Sequence, residues 1–422
     1  MIKCPPKEKQ WLSWLYVTVW TLCIFSVIPM ARPVQRYVYQ TWGRDLFTYG
    51  VISVIIAVLA VAAIYVRRFR PVSFNNYFWL IAVAGIFFTY TLDLGKQQPE
   101  ESVHFVLFGV LGLLVYRALT HRLKESSIFL AGAIICGCIG IIDEFIQWMT
   151  PRRLWDITDI GLNLLSAALV QVAIAKGLRP VFILRGISRE SLRFMCGLTI
   201  GAAAVLGVSL LMTPPRIVWI SERIGFLEFL KHNDSVMFEY GYLYEDPEAG
   251  VFRSRFMPQE LKQIDRKRAV EAAKILNRFQ EERFYSNFLM FYTPITDPFV
   301  HEARVHLFRR DRNFDNALKS ENDPEEYNKY LTIALRENLI MEKYFYNTLK
   351  QSNYAWTEEQ SALVWQPFLQ SDLYDSPVSS DLITRVKEQQ VAGFFMVLML
   401  GLILFHWYLG KRPEVESLPE DR

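Results

Sequence analysis

The sequence predicts an all-α polytopic membrane protein of about eight transmembrane helices, with a mainly helical extracytoplasmic domain between the last two. Three observations carry that prediction. Apolar residues make up 52% of 422 and mean hydropathy is positive, and they gather into more uninterrupted runs than a soluble core of this size needs. About 20 apolar residues cross a bilayer, and eight segments come near that length: 11–30, 46–66, 77–92, 103–119, 128–149, 157–175, 194–212 and 391–409. A segment spanning 213–390 separates the last two and is long enough for one domain. The net charge of +3 is too small to suggest a nucleic-acid partner.

The first span follows Lys3, Lys7 and Lys9 but is long and has no clear small-residue cleavage site, so it reads as an uncleaved anchor. Lys and Arg near the span ends set the orientation. With the N-terminus in the cytoplasm, the inner segments carry Arg67, Arg68 and Arg70, then Arg117, Arg122 and Lys124. Lys176, Arg179, Arg185, Arg189 and Arg193 follow, and Lys411 and Arg412 close the chain. The outer loops are poorer in Lys and Arg, although Arg32, Arg36 and Arg44 in the first of them dissent. An even number of spans returns the C-terminus to the cytoplasm.

This orientation divides the chain into an N-terminal transmembrane hairpin (1–76), a membrane domain (77–175), a cytoplasmic loop with the seventh span (176–212), the extracytoplasmic domain (213–390), and the last span with its tail (391–422). Cys4, Cys23, Cys136, Cys138 and Cys196 all lie in or beside spans, so segment 213–390 has no disulfide. Cys136 and Cys138 are two apart on a helix and point to different faces, which suits helix packing better than a redox pair.

Within 213–390 the pattern is mainly helical. Leu261, Ile264, Ala269, Ala272, Ala273, Leu276 and Phe279 recur at near-helical spacing across 259–284. Asp323-Pro324-Glu325-Glu326 reads as a helix start opening a run to Gln351, and Thr357-Glu358-Glu359-Gln360 as a second capping box. Only 234–256 suggests a hairpin, turning at 246–250. The polar stretch 411–422 reads as a disordered tail.

The fifth and sixth spans carry charge at their facing ends. Asp143 and Gln147 are four apart and share a helix face, with Glu144 beside them; Asp156, Asp159 and Asn163 share a face of the next helix. A short connection makes the two helices antiparallel neighbours, so their polar faces meet at one level with Arg152 and Arg153 above. Glu101 and His104, three apart at the start of the fourth span, reach the same level from another helix. A charge inside a bilayer costs roughly 3 kcal/mol at mid-helix, so such residues tend to be paired and functional.

These residues resemble the VanZ-like family of bacterial membrane proteins across about 77–175. One signature is an acidic residue shortly before His-Phe at a span start, matched by Glu101, His104 and Phe105. The other is Asp-Glu-x-x-Gln, then Pro-x-Arg, then Asp and Asn four apart, matched by Asp143, Glu144 and Gln147, by Pro151 and Arg153, and by Asp159 and Asn163. The chain departs at Ile146, where a polar residue is usual, and at Ser166, where Gly is usual. The resemblance implies a multi-pass protein of the bacterial cytoplasmic membrane acting on or with a cell-envelope lipid or glycan. It also implies a link to teicoplanin-type glycopeptide resistance. It leaves 213–390 unassigned.

The eight positions Glu101, His104, Asp143, Glu144, Gln147, Arg153, Asp159 and Asn163 are therefore the candidate site, catalytic or binding. As a catalyst, His104 is the general base with Glu101 or Asp93 orienting it, Asp143 and Glu144 are proton donors, and Arg153 grips a phosphate or carboxylate. Alternatively the carboxylates bind a divalent cation on a pyrophosphate; no resident cofactor is evident. A third reading is a polar helix-packing network. From a different class, the chain is a non-enzymatic assembly protein whose outer domain docks an extracytoplasmic partner, with membrane lipids around its spans. His301 and His306 are five apart rather than the four of a zinc-protease helix, so that stretch reads as a charged surface helix. The aromatic stretches 344–346 and 356–365 read as core or membrane-facing surface, glycan stacking being the minor reading.

Overall fold

A run of apolar residues satisfies its own backbone only as a helix when no water is at hand, and eight helices of this chain are long and apolar enough to cross a membrane. The chain is therefore a multi-pass, all-α membrane protein. The computed structural model describes residues 8–69, 73–151, 153, 155–184, 186–232, 236–364, 374–380 and 382–411. Arg152, Trp365 and nearly all of the polar tail lie outside the described residues. The described chain forms two compact units, 1–208 with 394–422, and 209–393.

The first unit opens with α1 (Gln10–Val27), a 3-10 turn at Ile28–Met30 and α2 (Ala31–Thr41). The first span, expected to end near residue 30, thus continues as a helical run from Gln10 to Thr41. Pro29 sits at the start of the 3-10 turn, where its missing N–H costs nothing. Next come α3 (Asp45–Phe69) and α4 (Phe74–Gln97), then a 3-10 turn at Pro99–Ser102 leading into α5 (Val103–Leu119). The third span is longer than the expected 77–92 because polar residues anchor its ends. Asn76, for example, donates Nδ2 to the Gly177 carbonyl at 2.6 Å while buried. The unit continues with α6 (Ser127–Trp148), α7 (Ile157–Val172), a π-turn at Ala173–Leu178, and α8 (Arg189–Leu210).

Its centre is the triplet α5, α6 and α7, whose core holds Phe108, Leu111, Val115, Ala131, Cys136 and Ala167. The helices come close because small residues face one another. A Cβ added to Gly112 would sit 3.4 Å from the Ala167 Cα, and one added to Gly140 would sit 3.0 Å from the Asn163 Cβ. Cys136 is buried and Cys138 half-buried, and neither is in a disulfide. Around this centre, Val54, Val58, Val61 and Ile64 of α3 are exposed apolar side chains of the kind lipid solvates.

The second unit contains α9 (Pro214–Ser221), the short strands β1 (Glu239–Tyr240), β2 (Tyr242–Asp246) and β3 (Gly250–Ser254), and α10 (Pro258–Arg278). It goes on through α11 (Tyr285–Phe291), α12 (Pro298–Lys319), α13 (Pro324–Tyr344), α14 (Tyr346–Gln351), α15 (Glu358–Val364) and β4 (Leu382–Ile383). The last helix, α16 (Glu388–Lys411), begins here and ends in the first unit. The expected hairpin is β2–β3, with Asp246 opposite Gly250. Gly250 has φ +90°, and a Cβ there would lie 2.4 Å from the Tyr374 carbonyl oxygen, so only glycine fits that turn. Asp323 accepts from Glu325 N and Glu326 N as the N-cap of α13. Thr357 and Gln360 exchange the two bonds of a capping box before α15.

One expectation is overturned. α12 is not a charged surface helix: His301, Glu302, Arg304, His306 and Arg310 are all buried. All but His301, whose buried Nδ1 has no partner among the described residues, meet groups that lie far away in sequence. Glu302 accepts from Arg255 N at 3.1 Å, His306 Nδ1 meets Glu337 Oε2 at 2.6 Å, and Arg310 donates to Asn338 Oδ1 at 3.0 Å. The Arg304 guanidinium lies 5.0 Å from the Tyr285 ring and donates to the Phe279 carbonyl. Of the aromatic stretches, Phe345 is fully buried and Tyr344 and Trp356 pack on the core, whereas Tyr346 is exposed.

Candidate functional site

Helix spacing and one tight connection assemble the site. Asp143, Glu144 and Gln147 occupy the end of α6, and Asp159 and Asn163 the start of α7. Asp156 caps α7 by accepting from Thr158 N at 2.7 Å, while its own N–H donates to Glu144 Oε2 at 3.0 Å. The Glu144 carboxylate thereby ties the end of one helix to the start of the next. Its other oxygen accepts from Gln147 Nε2, which also reaches Asp143 Oδ2 at 3.2 Å. Arg153, in the connection, donates to Gln147 Oε1.

α5 supplies the histidine. His104 Nδ1 lies 2.8 Å from Asn163 Oδ1, and its Nε2 lies 3.8 Å from Asp159 Oδ2. With the Asn163 amide in this orientation, its oxygen can only accept, so Nδ1 carries the proton and Nε2 of a neutral ring presents a lone pair toward Asp159. Glu101, one turn back, is a charge neighbour of Asp159 and Asp156 at the rim. All eight sequence-derived positions thus converge at one end of the α5–α6–α7 triplet.

The expected partner of His104 needs correcting. Asp93 is exposed and pairs with Lys96 at 2.9 Å, and the ring's contacts are Asn163 and Asp159 rather than Glu101. The Ser166 departure also gains a cause: its hydroxyl donates to the Phe105 carbonyl at 2.9 Å, bonding α7 to α5 where glycine would only approach it.

Sequence reasoning missed α2. Glu100 accepts from Gln35 Nε2 and from the Tyr39 hydroxyl, and Arg32 is a charge neighbour of both Glu101 and Arg153. Residues 32, 35 and 39 step by three and four, one helix face, so the signal was present in a stretch counted only as loop charge. It also gives one of the basic residues of that loop a reason: Arg32 lies near the Glu101 carboxylate.

Buried polar atoms are normally bonded. Here Asp143 and Gln147 are 2% and 3% exposed, Glu144 and Asn163 are fully buried, and yet Asp143 Oδ1, Asp159 Oδ1 and Asn163 Nδ2 have no hydrogen-bond partner among the described residues. Unused acceptors beside an imidazole lone pair can take a proton or a donor from a ligand. Among the described residues no group of three or more His, Cys, Asp or Glu is placed to hold an ion.

Fold and site together define a multi-pass helical membrane protein with a buried, acidic, histidine-bearing cluster at one end of a three-helix core. In comparison with known proteins, the chain matches no family model, no curated protein and no solved structure.

Proposed function

We propose that this chain is a VanZ-like protein of the bacterial cytoplasmic membrane whose pocket acts at the outer face on, or with, an envelope lipid or glycan. The observation that carries the reading is the unbonded pair Asp143 Oδ1 and Asp159 Oδ1 around His104. A packing network would be expected to use those atoms, because leaving a buried acceptor unmade costs about 1–3 kcal/mol. In this reading His104 is the base, held by Asn163, and Asp143 or Glu144 is the acid. Arg153, with a buried Nε that has no partner among the described residues, takes a phosphate or carboxylate of the ligand. Teicoplanin-type resistance belongs to the reading only through the family resemblance. The N- and C-termini are then cytoplasmic and 213–390 lies outside.

The test is a pair of isosteric variants, His104→Gln and Glu144→Gln, in cells scored for envelope phenotype and membrane abundance. Normal abundance with lost function is expected; full function would sink the reading. Deletion of 213–390 as the sole damaging change would instead favour a non-enzymatic assembly protein docking a partner. Orientation is tested alongside with single cysteines in a background lacking the native ones. Positions 97 and 323 should label with an impermeant thiol reagent from outside, and position 68 should not. The reverse pattern would move the pocket to the cytoplasm.

A further inference from the structure

The second unit carries a groove of about 470 Å³ along one face of α12. That volume lies in the range of about 300–1,000 Å³ typical of small-ligand sites. Val305, Phe308, Arg312 and Asn316 recur at three- and four-residue steps and so form one continuous stripe. Its lining is partly aromatic: Tyr285 stacks on Phe308 with ring centroids 3.8 Å apart and planes 4° from parallel, so each ring leaves only its edge and outer face to the groove. Pro377 and Val378, from a distant part of the sequence, add a further wall.

That wall is preformed. Ser376 donates its hydroxyl to Glu337 at 2.7 Å and its N–H to the Val251 carbonyl at 2.8 Å. Ser379, immediately beyond, holds the left-handed φ of +57°, and Arg255 donates to its hydroxyl at 3.4 Å. Backbone held in that region by a non-glycine residue needs surrounding contacts to persist.

The polar groups of the groove divide into used and unused. Arg309 is neutralised by Glu337 at 3.2 Å. Arg312 is exposed, lies 5.8 Å from the Phe308 ring, and has no carboxylate within ion-pair distance among the described residues. Asn313 uses Nδ2 on the Arg309 carbonyl at 2.7 Å, which leaves its own amide oxygen available. The side chain of Asn316, half-buried, makes no protein hydrogen bond among the described residues, although its carbonyl accepts from Ser320 N at 3.1 Å.

An aromatic plane, two amides with spare capacity and one uncompensated guanidinium in a single groove suit a particular chemistry. A purely apolar ligand would leave Arg312 and Asn316 without partners, and a polyphosphate would find one uncompensated cation among the described lining residues. We propose that this groove binds an acidic sugar. A pyranose lies with its C–H face on the Tyr285–Phe308 stack, its hydroxyls bond Asn313 and Asn316, and its carboxylate pairs with Arg312. The site is separate from the membrane pocket and does not depend on that pocket's role; only the natural source of the sugar depends on which side of the membrane 213–390 occupies.

Calorimetric titration of the full-length protein in detergent micelles tests this. A tetrasaccharide of alternating N-acetylglucosamine and glucuronate should bind, and an uncharged N-acetylglucosamine tetramer should bind roughly tenfold more weakly for want of one charge-assisted bond. Arg312→Gln should weaken the acidic tetrasaccharide to the level of the neutral one and leave the neutral one unchanged. Asn316→Ala should weaken both. The His104→Gln protein should bind the acidic tetrasaccharide as the wild type does, so failure of the proposed pocket chemistry leaves this result standing. Equal binding of the acidic and neutral sugars, or indifference to Arg312→Gln, overturns the proposal. So does equally tight binding of a short polyglutamate, which would mark an acidic-peptide surface, or of inorganic phosphate, which would mark a bare anion site.

Discussion

Glu337 and Asp265 of the second unit and Asp143 and Asp159 of the first are all buried carboxylates and are bonded differently, although Glu302 of the second unit also keeps a buried Oε1 without a partner among the described residues. In the second unit Glu337 is fully buried and accepts from His306 at 2.6 Å, Tyr374 at 2.5 Å and Ser376 at 2.7 Å, with Arg309 at 3.2 Å. Asp265 accepts from Asn347 N, Asn347 Nδ2 and Thr348 N, all at 2.8–2.9 Å, pinning the start of α14. In the α5–α7 cluster, among the described residues, Asp143 receives one side-chain bond, of 3.2 Å, and Asp159 meets His104 at 3.8 Å. A buried charge bonded at both of its oxygens holds a fold together. One with lone pairs to spare is held by the fold for something else.

The largest expected effect is at the saturated site. Glu337→Ala leaves His306 and Arg309 without their shared acceptor and should destabilise the second unit by about 3–5 kcal/mol. Denaturant unfolding of the solubilised protein would read this, and a change under about 1 kcal/mol would mean that the bonds around Glu337 do not carry the unit's stability.

Next is acid sensitivity of the same unit. Burial, reinforced by the Arg255 charge, pushes the His301 imidazole down to about 3. The unfolded chain binds that proton near pH 6.5, so between about pH 6.5 and 3 it takes up a proton that the native chain refuses. Stability is therefore full above pH 6.5 and falls as pH drops through that window, by an amount on the order of a few kcal/mol. Glu337 acts in the same direction at lower pH. Burial alone would raise its carboxyl, but the His306 charge and the bonds from His306, Tyr374 and Ser376 outweigh that and hold it below the ordinary range. His301→Gln should flatten the upper part of the curve; an unchanged pH profile would remove His301 as its cause.

The pocket responds on a smaller scale. Gly140→Ala places a methyl 3.0 Å from the Asn163 Cβ and must move α6 from α7, costing about 1–3 kcal/mol. Because Asn163 holds His104, loss of envelope function should exceed the loss of abundance. Equal losses would reduce Asn163 to a packing residue. Asp143→Asn should be the mildest in stability, within about 1 kcal/mol of wild type, since an amide still bonds Gln147. It should nevertheless abolish function if the unbonded oxygen matters. A fully active Asn variant would erase the contrast between the two units and turn the pocket into packing.

The legible parts of the molecule were those whose partners are near in sequence. Spans follow from apolar runs, the α6 and α7 faces from steps of three and four, and the caps at Asp323 and Thr357 from four-residue patterns. His104 could be placed at the right level, but its partners Asn163 and Asp159 lie more than fifty residues on and no local pattern names them. The burial of α12 was invisible for the same reason. Its histidines and arginines look solvent-bound until Glu337, Arg255 and Asn338 are brought to them. α2 differs: its Tyr, Gln and Arg recur on one helix face, but the stretch lies between two apolar runs and its Arg content resembles that of a loop.

The pairing of β1 with β4 joins Glu239 to Leu382 and Tyr240 to Ile383, and nearby Arg216 meets Glu388 at 2.5 Å. Each contact closes a loop of well over a hundred residues, so the chain leaves the second unit beside the point where it came in. Such closures come late, because their entropy must be met before the contacts reward it. On the ribosome, the first strand emerges with its edge unpaired and waits until nearly the whole unit has been synthesised. During that interval β1 is an open edge available to other chains, and the vulnerability ends only when residues 382 and 383 arrive to cover it.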